Sequence, residues 1–170
     1  DEFARPRLVT RSSILGSRTE ATTYADNYGK WVLGQIGTVS SGGKVMVANG
    51  YNPSSALLES VARFGLTQQS MTYNADGTLA TKADGLGQTT TFSNYKRGIP
   101  RNVRYADNST ESAEVNDDGT IAWIIDPMGS QTSFEYVFSR LSKISHLSNP
   151  AFPGDPAWTS TTLGFAQIGA

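Results

Sequence analysis

The chain has 170 residues, enough for one compact domain or a short stretch of solenoid. Its hydrophobic (38%) and charged (17%) fractions are both low for a globular core, and Gly, Ser, Thr, Asn and Gln fill the difference. A net charge of −1 with scattered basic residues shows no electrostatic footprint for nucleic acid or for an anionic membrane. No apolar run approaches the roughly eighteen residues of a membrane span. Cysteine is absent, which removes disulfides, thiolate metal sites and cysteine nucleophiles. The chain opens Asp1-Glu2-Phe3 with neither Met nor a signal peptide, and Phe165 to Ala170 read as the inside of a strand. Both ends therefore read as cut, and a piece of a longer polypeptide is expected.

Residues 1–65 read as a divergent, strand-rich lead-in. Gly42 and Gly43 precede Lys44 without the spacing of a phosphate loop, so after Ser40-Ser41 they read as a flexible turn. Residues 54–64 are the one helix candidate, although Val61, Phe64 and Gly65 suit a strand equally well.

Residues 66–146 carry the chain's most informative feature. NADGTLATKADGLGQTTTF from Asn74 recurs as NDDGTIAWIIDPMGSQTSF from Asn116, about forty-two positions on. Asn74-Ala75-Asp76-Gly77 and Asn116-Asp117-Asp118-Gly119 have the composition of a type I turn followed by a G1 bulge. Asp84-Gly85-Leu86-Gly87 and Asp126-Pro127-Met128-Gly129 form the next turn of each copy, with Gly87 and Gly129 where positive φ is needed. Short strands are expected between them at 78–83, 88–93, 120–125 and 130–135. Ile121, Trp123 and Ile125 share one strand face, and Thr132, Phe134 and Tyr136 another. A degenerate copy lies between: Tyr95, then 101–105, a polar turn at Asp107-Asn108-Ser109, then 110–115. The period is thus two hairpin units of about twenty-one residues. Residues 147–170 read as a Pro-rich connection and the start of a further strand. The predicted fold is all-β: tandem antiparallel hairpins forming a curved or spiralling sheet, each unit packing on its neighbours.

Tyr73-x-x-x-Gly77-x-Leu79, followed by Asp84-x-x-Gly87-x-x-Thr90-x-Phe92, resembles the tyrosine–aspartate repeat of the RHS (rearrangement hotspot) family. The second copy matches through Asp126-Pro127-Met128-Gly129 to Phe134-Glu135-Tyr136, then Arg140-Leu141. The Tyr-Asp dipeptide itself is eroded to Tyr73-Asn74, Val115-Asn116 and Tyr136-Val137. Thr23-Tyr24-Ala25-Asp26 with Trp31 to Gln35 looks like a segment that precedes repeats in the larger RHS and ABC-toxin shell proteins, and Tyr51-Asn52-Pro53 with Leu57-Leu58 resembles a divergent repeat start. Trp158 and Thr161 through Phe165 look like another strand between repeats. The resemblance implies a spiralling sheet wound into a hollow shell around a cytotoxic C-terminal domain. It implies as partners the remaining shell segments and that toxin domain; no nucleic acid, membrane span or cofactor is expected. Localisation would be secreted or delivered at the surface of a bacterium. The alternative is an extracellular repeat module that binds carbohydrate or another cell.

The chemistry-bearing residues have structural readings beside their functional ones. Asp126-Pro127-Met128-Gly129 resembles part of the family's self-cleavage motif, but the Thr132-x-Phe134-x-Tyr136 that follows makes it an ordinary hairpin turn. Asp117-Asp118, and Asp76 with Asp84, lack the ligand alternation and closing Glu of a calcium loop and read as turn formers. His146, the single histidine, lies beside Ser145 without a Gly-x-Ser-x-Gly elbow. Trp31, Trp123 and Trp158 offer faces for sugar stacking, with aromatic ladders between hairpins the favoured reading. No catalytic or metal-binding residue is expected. The positions expected to matter structurally are Tyr73, Asp76, Gly77, Asp84, Gly87, Phe92, Asp118, Gly119, Asp126, Gly129, Phe134 and Tyr136.

Overall fold

The computed structural model describes residues 1–147 and 158–164. It divides into two units, Asp1–Thr89 and Thr90–Ala170. The first carries β1 (Leu8–Ser13), β2 (Gly16–Tyr24), β3 (Ile36–Ser41), β4 (Lys44–Tyr51), β5 (Leu58–Arg63), β6 (Leu66–Tyr73) and β7 (Leu79–Asp84). The second carries β8 (Thr89–Lys96), β9 (Ile99–Arg104), β10 (Thr110–Val115), β11 (Ile121–Ile125), β12 (Gln131–Val137), β13 (Arg140–Leu147) and β14 (Trp158–Thr162). Within each unit the strand order is the chain order and each neighbouring pair is antiparallel. The protein is all-β, a succession of hairpins. Its one helical element among the described residues is the 3₁₀ turn Tyr28–Lys30. No helix among them is long and apolar enough to cross a membrane. Residues 148–157, most of the expected Pro-rich connection, and 165–170 lie outside the described residues.

Two kinds of turn build most of the hairpins. Tight two-residue turns place both central residues at positive φ: Phe64-Gly65 (50° and 81°), Arg97-Gly98 (54° and 79°) and Phe138-Ser139 (50° and 60°). This is the type I′ conformation, whose twist matches that of the strands it joins. The five-residue turns have another logic. In 74–78 the Asn74 N–H donates to Thr78 O at 2.8 Å and the Gly77 N–H to Asn74 O at 3.0 Å. The same two bonds recur in 84–88, 105–109, 116–120 and 126–130. The pairing register shifts by one residue beside two of them, at Thr72/Tyr73 and Glu114/Val115. That is the extra residue of a bulge, which increases local twist. Thr78 and Thr120 are consumed by these turns, so β7 and β11 begin one residue later than turn composition alone suggests.

The helix candidate at 54–64 folds instead as a turn followed by β5. Asn52 Oδ1 accepts from the Ser54 and Ser55 N–H groups, both at 2.9 Å, and Asn52 O accepts from the Ala56 N–H at 2.8 Å. That is one helical turn with a capping residue. Ala56 then adopts φ 61° and ends it, and Val61 and Ala62 enter the ladder against Gln69 and Thr67.

Burial is sparse. Among the described residues only Ala56, Val115 and Ser145 are buried, and Val115 alone is fully so. Most strand residues are half-covered by their neighbours in the sheet. The fold therefore rests on backbone ladders and turns, with little private core.

Candidate functional site

The aspartates come in two turn positions, each with a defined set of donors. At the third position, Asp76 Oδ1 accepts from the Thr78 N–H (3.0 Å) and Oγ1–H (2.6 Å). Asp107 does the same with Ser109, and Asp118 with Thr120. These bonds hold all three carboxyls below the usual aspartate range, the side-chain hydroxyl contributing most. At the first position, Asp84 Oδ1 accepts from the Leu86 and Gln88 N–H groups, both at 2.9 Å, and Asp126 Oδ1 from Met128 and Ser130. Gly77, Gly87, Gly119 and Gly129 have φ between 80° and 88°. In the degenerate copy the corresponding position is Asn108, at φ 69°.

Tyrosines supply a second recurring bond. The Tyr73 hydroxyl donates to Leu58 O at 2.6 Å, Tyr51 to Ile36 O at 3.1 Å and Tyr136 to Ile121 O at 3.0 Å. Each tyrosine stands at or near the end of a hairpin's second strand and bonds the first residue of its first strand. It thereby ties the open end of the hairpin. Tyr24 makes the equivalent bond to Pro6 O at 2.9 Å. Burial pushes the Tyr73 phenol up. At the end of β10 the tyrosine is replaced by Val115, which is fully buried instead. The recurring tyrosine contact is thus a hydroxyl-to-carbonyl bond, where the sequence suggested aromatic ladders between hairpins. Phe92 and Phe134 sit half-buried in mid-strand, opposite Val103 and Ile144.

Two features were not legible as sites. Arg5 forms a fork onto Asp26, with Nη1–Oδ1 at 2.6 Å and Nη2–Oδ2 at 2.7 Å, and the Asp26 carboxylate also accepts from the Gly34 N–H at 2.8 Å. The guanidinium lies 4.1 Å from the Tyr24 ring centroid. Arg5 and the Gly34 N–H hold the Asp26 carboxyl at a pKa of about 2. Beside this knot is a cleft of about 310 Å³, lined by Asp26, Asn27, Gln35, Tyr51, Asn52 and Ala56 among others. Gln35 Nε2 donates to Ala56 O at 2.8 Å, while its Oε1 is buried without a partner among the described residues. The signal for the knot was present in Thr23-Tyr24-Ala25-Asp26, but nothing in sequence spacing joins Asp26 to Arg5.

The reactive combinations considered from sequence do not assemble. His146 Nδ1 lies 3.0 Å from Thr132 Oγ1, whereas Ser145 Oγ lies 3.0 Å from Ser160 Oγ. Consecutive strand residues point to opposite faces, so His146 cannot serve Ser145 as a base. Asp117 pairs with Lys96 at 2.9 Å while Asp118 closes its own turn. Asp76 and Asp84 sit at opposite ends of β7, roughly 20 Å of extended chain apart. Among the described residues no three His or carboxylate side chains come together.

These features define a tandem-hairpin repeat protein whose repeated residues serve turns and hairpin ends. Comparison with known proteins finds no matching family model and no matching curated protein. Among solved structures the chain is similar to the crystal structure of TcdB2-TccC3-Cdc42, with 14% identity and a TM-score of 0.45, over 92% of this chain and 12% of that one. It is also similar to TcdB2-TccC3 without its hypervariable C-terminal region (12% identity, TM-score 0.46, 85% and 10% covered). A third similar structure is the Photorhabdus luminescens Tc holotoxin pore with a TccC3 mutation (12% identity, TM-score 0.44, 85% and 10% covered). The chain thus spans 10–12% of the length of these structures.

Proposed function

We infer that this chain is a wall segment of an RHS-type shell that encloses a toxic cargo domain of a bacterial delivery protein. The observation that carries the reading is the combination of consecutive hairpins with a nearly absent private core. A strip that buries little of its own surface is suited to separate two spaces and ill suited to position catalytic groups. The Tyr, Asp and Gly positions through which the sequence resembles the RHS repeat serve turns and hairpin ends, which supports a scaffolding role for the repeat. On this reading the segment has no catalytic residue, its partners are the neighbouring shell segments and the cargo, and its destination is outside the producing cell.

Limited proteolysis of the intact delivery protein tests the reading. The cargo domain should resist protease in the folded protein and be digested when Gly119→Val breaks a wall turn, while His146→Ala leaves both protection and toxicity intact. A cargo digested equally fast in the folded wild-type protein would overturn the shell. Loss of toxicity on His146→Ala, with protection retained, would point to a hydrolase.

A further inference from the structure

Antiparallel meander topology sends alternate turns to opposite rims, so in the first unit the turns β1–β2, β3–β4 and β5–β6 and the turn after β7 share one rim. Three of its four tips are apolar, the β3–β4 tip being Gly42-Gly43. Ile14 and Leu15 are fully exposed, and Phe64, Leu66 and Leu86 keep 70%, 69% and 86% of their surface. The same rim is basic. Arg11, Arg18, Lys44, Arg63 and Lys82 flank the tips, against Glu20 and Asp84. Glu20 is shared between Arg11 and Arg18, whose side chains keep 68% and 57% of their exposure, and Lys44, Arg63 and Lys82 are exposed with no ion pair among the described residues. On the opposite rim the loops at 24–36, 51–58 and 73–79, with the N-terminal segment beside them, hold Arg5, Arg7 and Lys30 against Asp1, Glu2, Asp26 and Asp76. There the exposed large side chains, Tyr28, Trp31 and Ile36 with Phe3 beside Tyr28, are gathered at one loop. Residues that are scattered along the sequence are gathered on one rim by the topology.

Register gives the rim a slope. Glu20 pairs with Ser41, Val47 with Arg63 and Gln69 with Asp84, so each tip stands three or four residues beyond the next. At roughly 3.3 Å per residue, and roughly 10 Å between successive hairpins, the tips lie along a diagonal inclined at roughly 45° to the strands. A strip tilted by that angle brings all four tips to one plane.

We propose that this rim docks on an anionic lipid surface, with the apolar tips entering the headgroup boundary and Lys44, Arg63 and Lys82 lying against the phosphates. One or two apolar side chains on each of three separate turns, with cations beside them, fit a fluid interface with negative charge better than a preformed protein pocket. The proposal goes beyond the wall reading and stands without it.

Vesicle co-sedimentation of the full chain tests it, with phosphatidylcholine vesicles carrying or lacking phosphatidylserine. Binding should require phosphatidylserine and weaken with added salt. Leu15→Ser, Phe64→Asn and Leu86→Ser combined should lower it at least about tenfold, as should Lys44→Gln, Arg63→Gln and Lys82→Gln combined. Phe64→Asn creates the Asn-Gly preferred in a type I′ turn, so the hairpin itself is preserved, and an unchanged far-ultraviolet spectrum verifies this. Trp31→Ser, on the opposite rim, should leave binding unchanged. Failure to bind phosphatidylserine vesicles, equal binding to neutral ones, full binding by either triple variant, or loss on Trp31→Ser would overturn the proposal. So would finding that the apolar tips only drive association between copies of the chain.

Discussion

Gly119 and Asn108 occupy the same turn position in successive copies, at φ 88° and 69°. Asn reaches the left-handed region through local hydrogen bonding, whereas a β-branched residue pays on the order of 1–2 kcal/mol or more. Gly119→Asn should therefore be close to neutral and Gly119→Val should destabilise by about that amount, as read from urea unfolding midpoints. The aspartates make a prediction of different sign. Asp26, at about 2, and Asp76, Asp107 and Asp118 all lie below the ordinary value of 3.8. The folded state therefore binds fewer protons than the unfolded chain in this range. Their contribution is complete above about pH 4 and is lost as pH falls toward 2. Unfolding midpoints measured between those values should fall steeply, and Asp26→Asn, which cannot lose a proton there, should flatten the lowest part of the curve.

At the scale of the element, the two turn types carry different strain. Phe138 and Ser139 both hold positive φ without being glycine. Replacing them by Asn and Gly should raise stability by about 1 kcal/mol or more, seen as a higher urea midpoint with an unchanged slope. The five-residue turns were legible in the sequence because Asn, Asp and Gly act locally, each through its own backbone. The strand starts followed from them to within a residue, displaced where Thr78 and Thr120 join the turn, whereas β8 and β12 run three and two residues past their expected ends of 93 and 135. The helix candidate at 54–64 was ambiguous because Val61, Phe64 and Gly65 suit a strand equally well, and the structure ends its one helical turn, capped by Asn52, at the φ of Ala56. The hydroxyl bonds of Tyr51, Tyr73 and Tyr136 and the Arg5–Asp26 fork were not legible. They depend on which strand ends meet in space, and register is set across the sheet.

For the whole molecule, stability should be a sum over neighbours. Within each unit successive strands pair with one another, and burial is confined to Ala56, Val115 and Ser145 among the described residues. A defect in such an array spreads through adjacent pairings and fades, while a molecule with one shared core loses protection everywhere at once. Hydrogen exchange read by mass spectrometry on the wild type and on Gly119→Val separates these cases directly. A nearest-neighbour hairpin array predicts faster exchange in β10, β11 and the strands beside them, with β1 to β6 keeping their wild-type protection. Uniform acceleration from β1 to β13 would contradict it.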